Sequence, residues 1–171
     1  GLGFITIEMA IISRLTLYLG QPAHTLALIL AVLLVSSGAG SALAGRLPPG
    51  RTPLAAALLL VLLAFTYGAP SLLWATLGWS FGGRCLIAAV LIAPLGCVLG
   101  MPFPRGIQSL SVVAPDLVPW AWGVNGFFTV IGSTASLMFA MTIGFTNTLL
   151  LATVCYVAAV LVMPWNTVVT D

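Results

Sequence analysis

Long apolar runs, broken by glycine and proline rather than by charge, organise this chain. Six of them stand out: Gly3 to Gly20, His24 to Ala44, Leu54 to Gly68, Cys85 to Gly100, Trp120 to Ile143 and Thr148 to Met163. A helix needs about 20 apolar residues to cross a bilayer. The pattern therefore predicts an all-α, polytopic membrane helix bundle of about six transmembrane helices. The third run is short for a span and can extend through Pro70 into Leu72 and Leu73. After it, Trp74 and Trp79, with Gly78, Gly82 and Gly83 nearby, predict an interfacial segment, because indole rings favour the headgroup level. Ile107 to Val118 is too polar and too short to cross and is expected at the opposite surface.

Composition supports this reading. The chain has no lysine, five arginines and three acids in 171 residues, a hydrophobic share of 61% and a mean hydropathy of +1.21. A water-facing surface does not tolerate such a balance. The net charge of +2 forms no basic stripe, so no nucleic-acid partner is expected. Gly1-Leu-Gly-Phe-Ile-Thr-Ile-Glu8 already reads as the inside of a span. Residues 1–171 are thus expected to form a single transmembrane domain, the C-terminal part of a longer chain. Short cytoplasmic loops carry the excess of positive residues. Arg46 and Arg51 follow the second run and Arg105 the fourth, which places both loops and both termini in the cytoplasm, with Arg84 the one dissenting charge.

Helices meet in lipid through small residues that let backbones approach. Ser37, Ser41 and Gly45 recur every fourth residue in the second run, and Gly96 and Gly100 form a GxxxG in the fourth. In the fifth run Asn125, Thr129, Gly132, Ser136 and Ala140 share one face, while Phe127, Phe128 and Val130 point elsewhere. Such a face either packs against another helix or borders a polar cavity. Pro94 is expected to kink the fourth helix, and Gly100-Met-Pro-Phe-Pro104-Arg105 to end it.

Glu8 is the one acid well inside a run, and an intramembrane carboxylate marks either a functional site or a structural brace. Arg14 lies six residues on, too far round the helix for an i,i+4 pair, so a group on another helix is expected to meet Glu8, with Asn125 the candidate. His24 reads as a solvated helix-start residue. Cys85, Cys97 and Cys155 lie in apolar runs without CxxC or Cys/His clustering and read as buried, inert thiols, with no metal site. No GxSxG, Walker A, HExxH or GxGxxG pattern occurs. No catalytic residue and no cofactor is assigned.

Gly3-Phe-Ile-Thr-Ile-Glu8 through Gly20-Gln-Pro22, and Gly100-Met-Pro-Phe-Pro104 followed by Pro119-Trp-Ala-Trp122-Gly-Val-Asn125-Gly126, resemble the C-terminal membrane region of bacterial membrane-bound spermidine-synthase-like proteins. In that family a Rossmann-type aminopropyltransferase-like domain is fused to transporter-like helices. Any such activity would lie in a domain absent from these residues. Gly40-Ser-Ala-Leu-Ala-Gly45-Arg46-Leu-Pro-Pro-Gly50-Arg51 is similar to the signature between the second and third helices of a major facilitator half, except that Gly45 stands where an acid is normal. A loop needing basic residues for topology would read the same way. The resemblance implies a non-catalytic, transporter-like domain in the inner membrane, acting as an anchor or as part of a small-substrate path lined by Glu8, Asn125, Thr129 and Ser136. The alternative is an accessory structural subunit whose small-residue faces pack against other transmembrane helices of a larger complex.

Overall fold

A computed structural model describes residues 1–45 and 51–163. Seven α-helices follow in order: α1 Leu2–Leu19, α2 Pro22–Ala44, α3 Arg51–Ala75, α4 Phe81–Leu99, α5 Pro102–Val113, α6 Val118–Ile143 and α7 Phe145–Val162. Six segments are long and apolar enough to cross a membrane, with α4 and α5 falling in one of them. The protein is an all-helical integral membrane bundle.

Glycine and proline set the corners. Gly20 takes φ 76 at the end of α1, its N–H capping the Thr16 carbonyl at 2.9 Å, and Pro22 then opens α2 at a position that needs no N–H donor. Gly144, at φ 84, joins α6 to α7 in a single residue. Both conformations favour glycine because they crowd a Cβ. Ser80 caps α4 by accepting from the Gly83 N–H. The third run does pass through Pro70, which α3 carries inside the helix.

The central helix is α1, which packs on α2, α4, α6 and α7. Ile7, Ile11 and Leu15 are fully buried there, against a core that includes Ile29 and Leu33 of α2, Leu58 and Leu62 of α3, Ile92 and Leu95 of α4, and Leu149 of α7. Peripheral α6 buries only Gly132 and Ser136. Its outer face presents Phe127, Val130, Met138 and Met141. Outside a membrane such a face would be an aggregation liability; against lipid it is at equilibrium.

The most extensive contact joins α2 to α4. A Cβ on Gly40 would lie 1.9 Å from the Cys97 carbonyl oxygen, one on Gly96 2.0 Å from Ser36 Oγ, and one on Gly100 2.2 Å from the Ser37 carbonyl oxygen. Main chains approach here as only glycine permits. The buried stripe of α2 is Ser36, Gly40 and Ala44, one residue earlier than Ser37, Ser41 and Gly45. Ser37 and Ser41 are half-buried, and Gly45 is exposed, a Cβ there meeting only Gln108 Nε2, at 4.0 Å. Gly132 of α6 meets α1, its Cβ position lying 2.6 Å from Ile5 Cγ2.

Candidate functional site

In the membrane every polar side chain needs a partner or an aqueous path. Most hydroxyls are satisfied within their own helix: Thr6, Thr66, Thr129, Thr148 and Thr153 each donate to the carbonyl four residues back at 2.7–2.9 Å. Ser136 does the same to Gly132. It is buried and braces nothing on another helix through that proton. This back-bonding leaves each oxygen as an acceptor.

Among the described residues, apart from the Tyr18 Oη–Thr76 Oγ1 hydroxyl pair at 2.8 Å, Arg14, Arg84, Arg105 and Tyr156 donate across helices, and all four reach main-chain carbonyls. Arg105 Nε and Nη2 both reach Ala44 O, at 3.0 and 2.9 Å. Arg84 Nη1 reaches Tyr18 O at 2.7 Å, Arg14 Nη1 reaches Thr66 O at 3.4 Å, and Tyr156 Oη reaches Leu99 O at 3.1 Å. Each acceptor is a carbonyl that its own helix has released. Tyr18, Ala44 and Leu99 lie in the last turns of α1, α2 and α4. Thr66 precedes Pro70 by four residues, and a proline has no N–H to return. Sequence reasoning missed these pairs, although a signal was present: Tyr18, Ala44 and Thr66 each stand four residues before a proline, Pro22, Pro48 or Pro70.

Five of the residues singled out by pattern meet in one open groove of about 420 Å³ at the end of the bundle where α2 and α4 finish. Ser37 and Ser41 come from α2, Gly100 from the end of α4, and Asn125 and Thr129 from α6; Phe4, Phe103 and Tyr156 complete the walls. The groove exists because α2 and α6 both pack on α1 yet leave a gap between themselves. Its lining residues with polar side chains are Ser37 and Ser41 on α2, Asn125 and Thr129 on α6, and Tyr156 on α7. A second, more apolar cavity of about 470 Å³ lies behind Phe4, Phe103 and Tyr156, lined by Ile107 and Leu110 of α5, Ala121 of α6, and Cys155 and Ala159 of α7.

Glu8 lines neither cavity. It is half-buried, one turn beyond Phe4 on the same face of α1, and it makes no hydrogen bond or ion pair among the described residues. The expected pairing with Asn125 is not formed. Gly1 lies against Asn125 and Ile5 against Gly132, so α1 and α6 run in parallel and their register sets Glu8 near the level of Ser136. Periodicity shows which residues share a face but says nothing about the level at which two helices meet.

Arg105, read from sequence as a topological charge, is buried at 7% exposure and caps α2. It therefore shares one end of the bundle with the α2 terminus. Arg46 lies outside the described residues, and Arg51 opens α3. His24 is exposed in the first turn of α2, edge-on to Phe81 at 5.9 Å. The cysteines are half-buried rather than buried, and all three are free thiols. Among the described residues no three His, Cys, Asp or Glu side chains cluster as metal ligands would. Compared with protein-family models, curated proteins and solved structures, the chain matches none.

Proposed function

We propose that this chain is a non-catalytic, transporter-like membrane domain whose groove between α2 and α6 forms part of a path for a small polar or amphiphilic solute. The convergence of Ser37, Ser41, Asn125 and Thr129 from two helices on one open groove carries this reading. A wall of neutral acceptors and one amide suits a solute that must shed part of its water without meeting a fixed charge. Glu8 lies one turn beyond the groove's Phe4 on α1 without lining the groove, so it meets a solute only if the path continues past Phe4. Gly40, Gly96, Gly100 and Gly132 face other helices of this chain, which favours a path over an accessory subunit packed outward by these faces.

The resemblance of the Glu8 and Trp122-Gly-Val-Asn125 stretches points to the membrane region of a spermidine-synthase-like protein, organised like one half of a major facilitator transporter. Arg105 at the groove end, taken with the bias of positive residues to the cytoplasmic side, supports a reading in which that end and both termini face the cytoplasm of a bacterial inner membrane.

Gly38 lines the groove, and nothing lies within 4 Å of the Cβ it lacks. Gly38→Trp should therefore plug the groove without disturbing the packing. Proteoliposomes holding the full chain are to be loaded with labelled amines, amino acids and short-chain alcohols. Flux of at least one solute class that Gly38→Trp abolishes at unchanged thermal stability supports the path. Equal flux in the variant, or none with the unaltered chain, overturns it.

A further inference from the structure

The polar groove and the apolar chamber behind it share a wall, since Gly1, Phe4, Phe103 and Tyr156 line both. On the groove side the polar groups divide into two kinds. Ser37, Thr129 and Tyr156 donate their protons to the carbonyls of Leu34, Asn125 and Leu99 and keep acceptor capacity alone. Ser41 on α2 and the Asn125 side chain on α6 make no hydrogen bond among the described residues, so a hydroxyl and an amide line the groove with donors and acceptors unspent.

On the chamber side the lining is apolar. Phe103, Ile107 and Leu110 recur at helical spacing, which gives one face of α5 to the chamber, and Ala121 of α6 and Ala159 of α7 lie across from it. Two hydroxyls reach this space. Tyr156 is bonded to Leu99, whereas Ser109 is only 7% exposed and has no hydrogen-bond partner among the described residues. Buried hydroxyls are almost always bonded, so this one calls for an acceptor. Neither cavity is lined by a charged side chain. At about 470 Å³ the chamber has the size of a small-molecule site, for which about 300–1,000 Å³ is usual.

We propose that groove and chamber together bind a single-tailed, uncharged lipid with a hydroxyl-bearing head, of the monoacylglycerol class. The head exchanges hydrogen bonds with Ser41 and Asn125 and donates to the hydroxyls that only accept. The tail crosses at the half-buried rings of Phe4 and Phe103 into the chamber, and an ester oxygen answers Ser109. A charged head would leave water for a lining that holds no countercharge. The inference rests on the groove admitting a solute, as proposed above, and not on transport through it.

The full chain in phosphatidylcholine nanodiscs is to receive a monoacylglycerol with a photoactivatable diazirine in its tail, and the adducts are to be mapped by mass spectrometry. They should form on chamber residues such as Leu110 and Ala159, and drop at least fivefold with excess unlabelled monoacylglycerol but not with the matching fatty acid. The double variant Ser41→Ala, Asn125→Ala should cut labelling severalfold. Ala159 lines the chamber from an exposed position, so Ala159→Phe should abolish labelling with the unfolding midpoint unchanged. If that variant is destabilised, Ala121→Phe fills the chamber from α6 instead. Adducts confined to lipid-facing positions such as Leu60 and Val130, labelling that the competitor leaves undiminished, or unchanged labelling in a folded chamber-filling variant overturns the proposal. Equal competition by the fatty acid overturns the uncharged head. Labelling that appears only when the chain is cut after Met163, itself part of the lining, would make residues 164–171 the occupant and overturn the lipid. None of these results bears on the flux of short solutes, which Gly38→Trp tests separately.

Discussion

Gly40→Ala isolates the closest backbone approach in the fold. The new methyl would sit 1.9 Å from the Cys97 carbonyl oxygen and 2.7 Å from its carbon, whereas ordinary contact begins at 3.4 Å. Both atoms are main chain within α4, so no rotamer change relieves the clash. The helices must part by about 1.5 Å to move from 1.9 to 3.4 Å. Separation of that size also pulls Ser36 from Gly96 and Ser37 from Gly100, where contacts are similarly close. Overpacking of a tight core costs about 1–3 kcal/mol, and a clash with immovable backbone belongs at the upper end. Alanine returns up to about 1 kcal/mol over glycine in a helix. The net loss is then about 2 kcal/mol, readable as a shifted midpoint when the purified chain is unfolded by sodium dodecyl sulfate in mixed micelles and followed by tryptophan fluorescence. Gly68→Ala on α3 is the control, since nothing lies within 4 Å of its Cβ position, and it should be neutral or slightly stabilising. Matching midpoints for the two variants would refute the tight α2–α4 contact.

Gly132→Leu and Ser136→Leu should lower the same midpoint, because Gly132 meets Ile5 and Leu2 and Ser136 is 1% exposed; Val130→Leu, at a position 71% exposed, should change little. Arg105→Gln removes two charged donors from the Ala44 carbonyl and should cost about 1.5–3 kcal/mol, and a midpoint within error of the unaltered chain would show that water or lipid caps α2 as well. Tyr156→Phe loses one bond to Leu99 O and should cost about 1 kcal/mol, with the two flanking cavities kept. Glu8→Gln should leave the midpoint nearly unchanged, since no hydrogen bond among the described residues depends on the carboxylate, while abolishing any solute flux that depends on its charge; a large stability loss would make Glu8 a brace instead.

The spans were legible because a membrane imposes one-dimensional rules: run length, uncharged interiors and breaks at Gly20-Gln-Pro22 or Gly100-Met-Pro102 can be read without knowing any contact. The glycines of α4 were legible for a related reason, since Gly96 and Gly100 have few other uses in a span. Registers were not. The stripe on α2 runs through Ser36, Gly40 and Ala44 because those residues, rather than their neighbours, face α4, and sequence offers two serines side by side. Asn125 and Glu8 share no level for the same reason. Arg84 and Arg105 were read through loop topology and Arg14 only as a partner too far round the helix for Glu8, whereas all three are held by carbonyls released at helix ends or by Pro70.

Water in the groove is what a solute path most directly requires. Replacing Cys85, Cys97 and Cys155 gives a background in which single cysteines at Ser41, Asn125, Val130 and Leu60 can be probed in vesicles with a membrane-impermeant methanethiosulfonate. Ser41→Cys and Asn125→Cys line the groove and should react from the Arg105 side alone, while Val130→Cys and Leu60→Cys, 71% and 72% exposed but facing lipid, should stay unlabelled. Groove cysteines as unreactive as the lipid-facing pair, or reactive only from the Arg84 side, would contradict a path opening between α2 and α6.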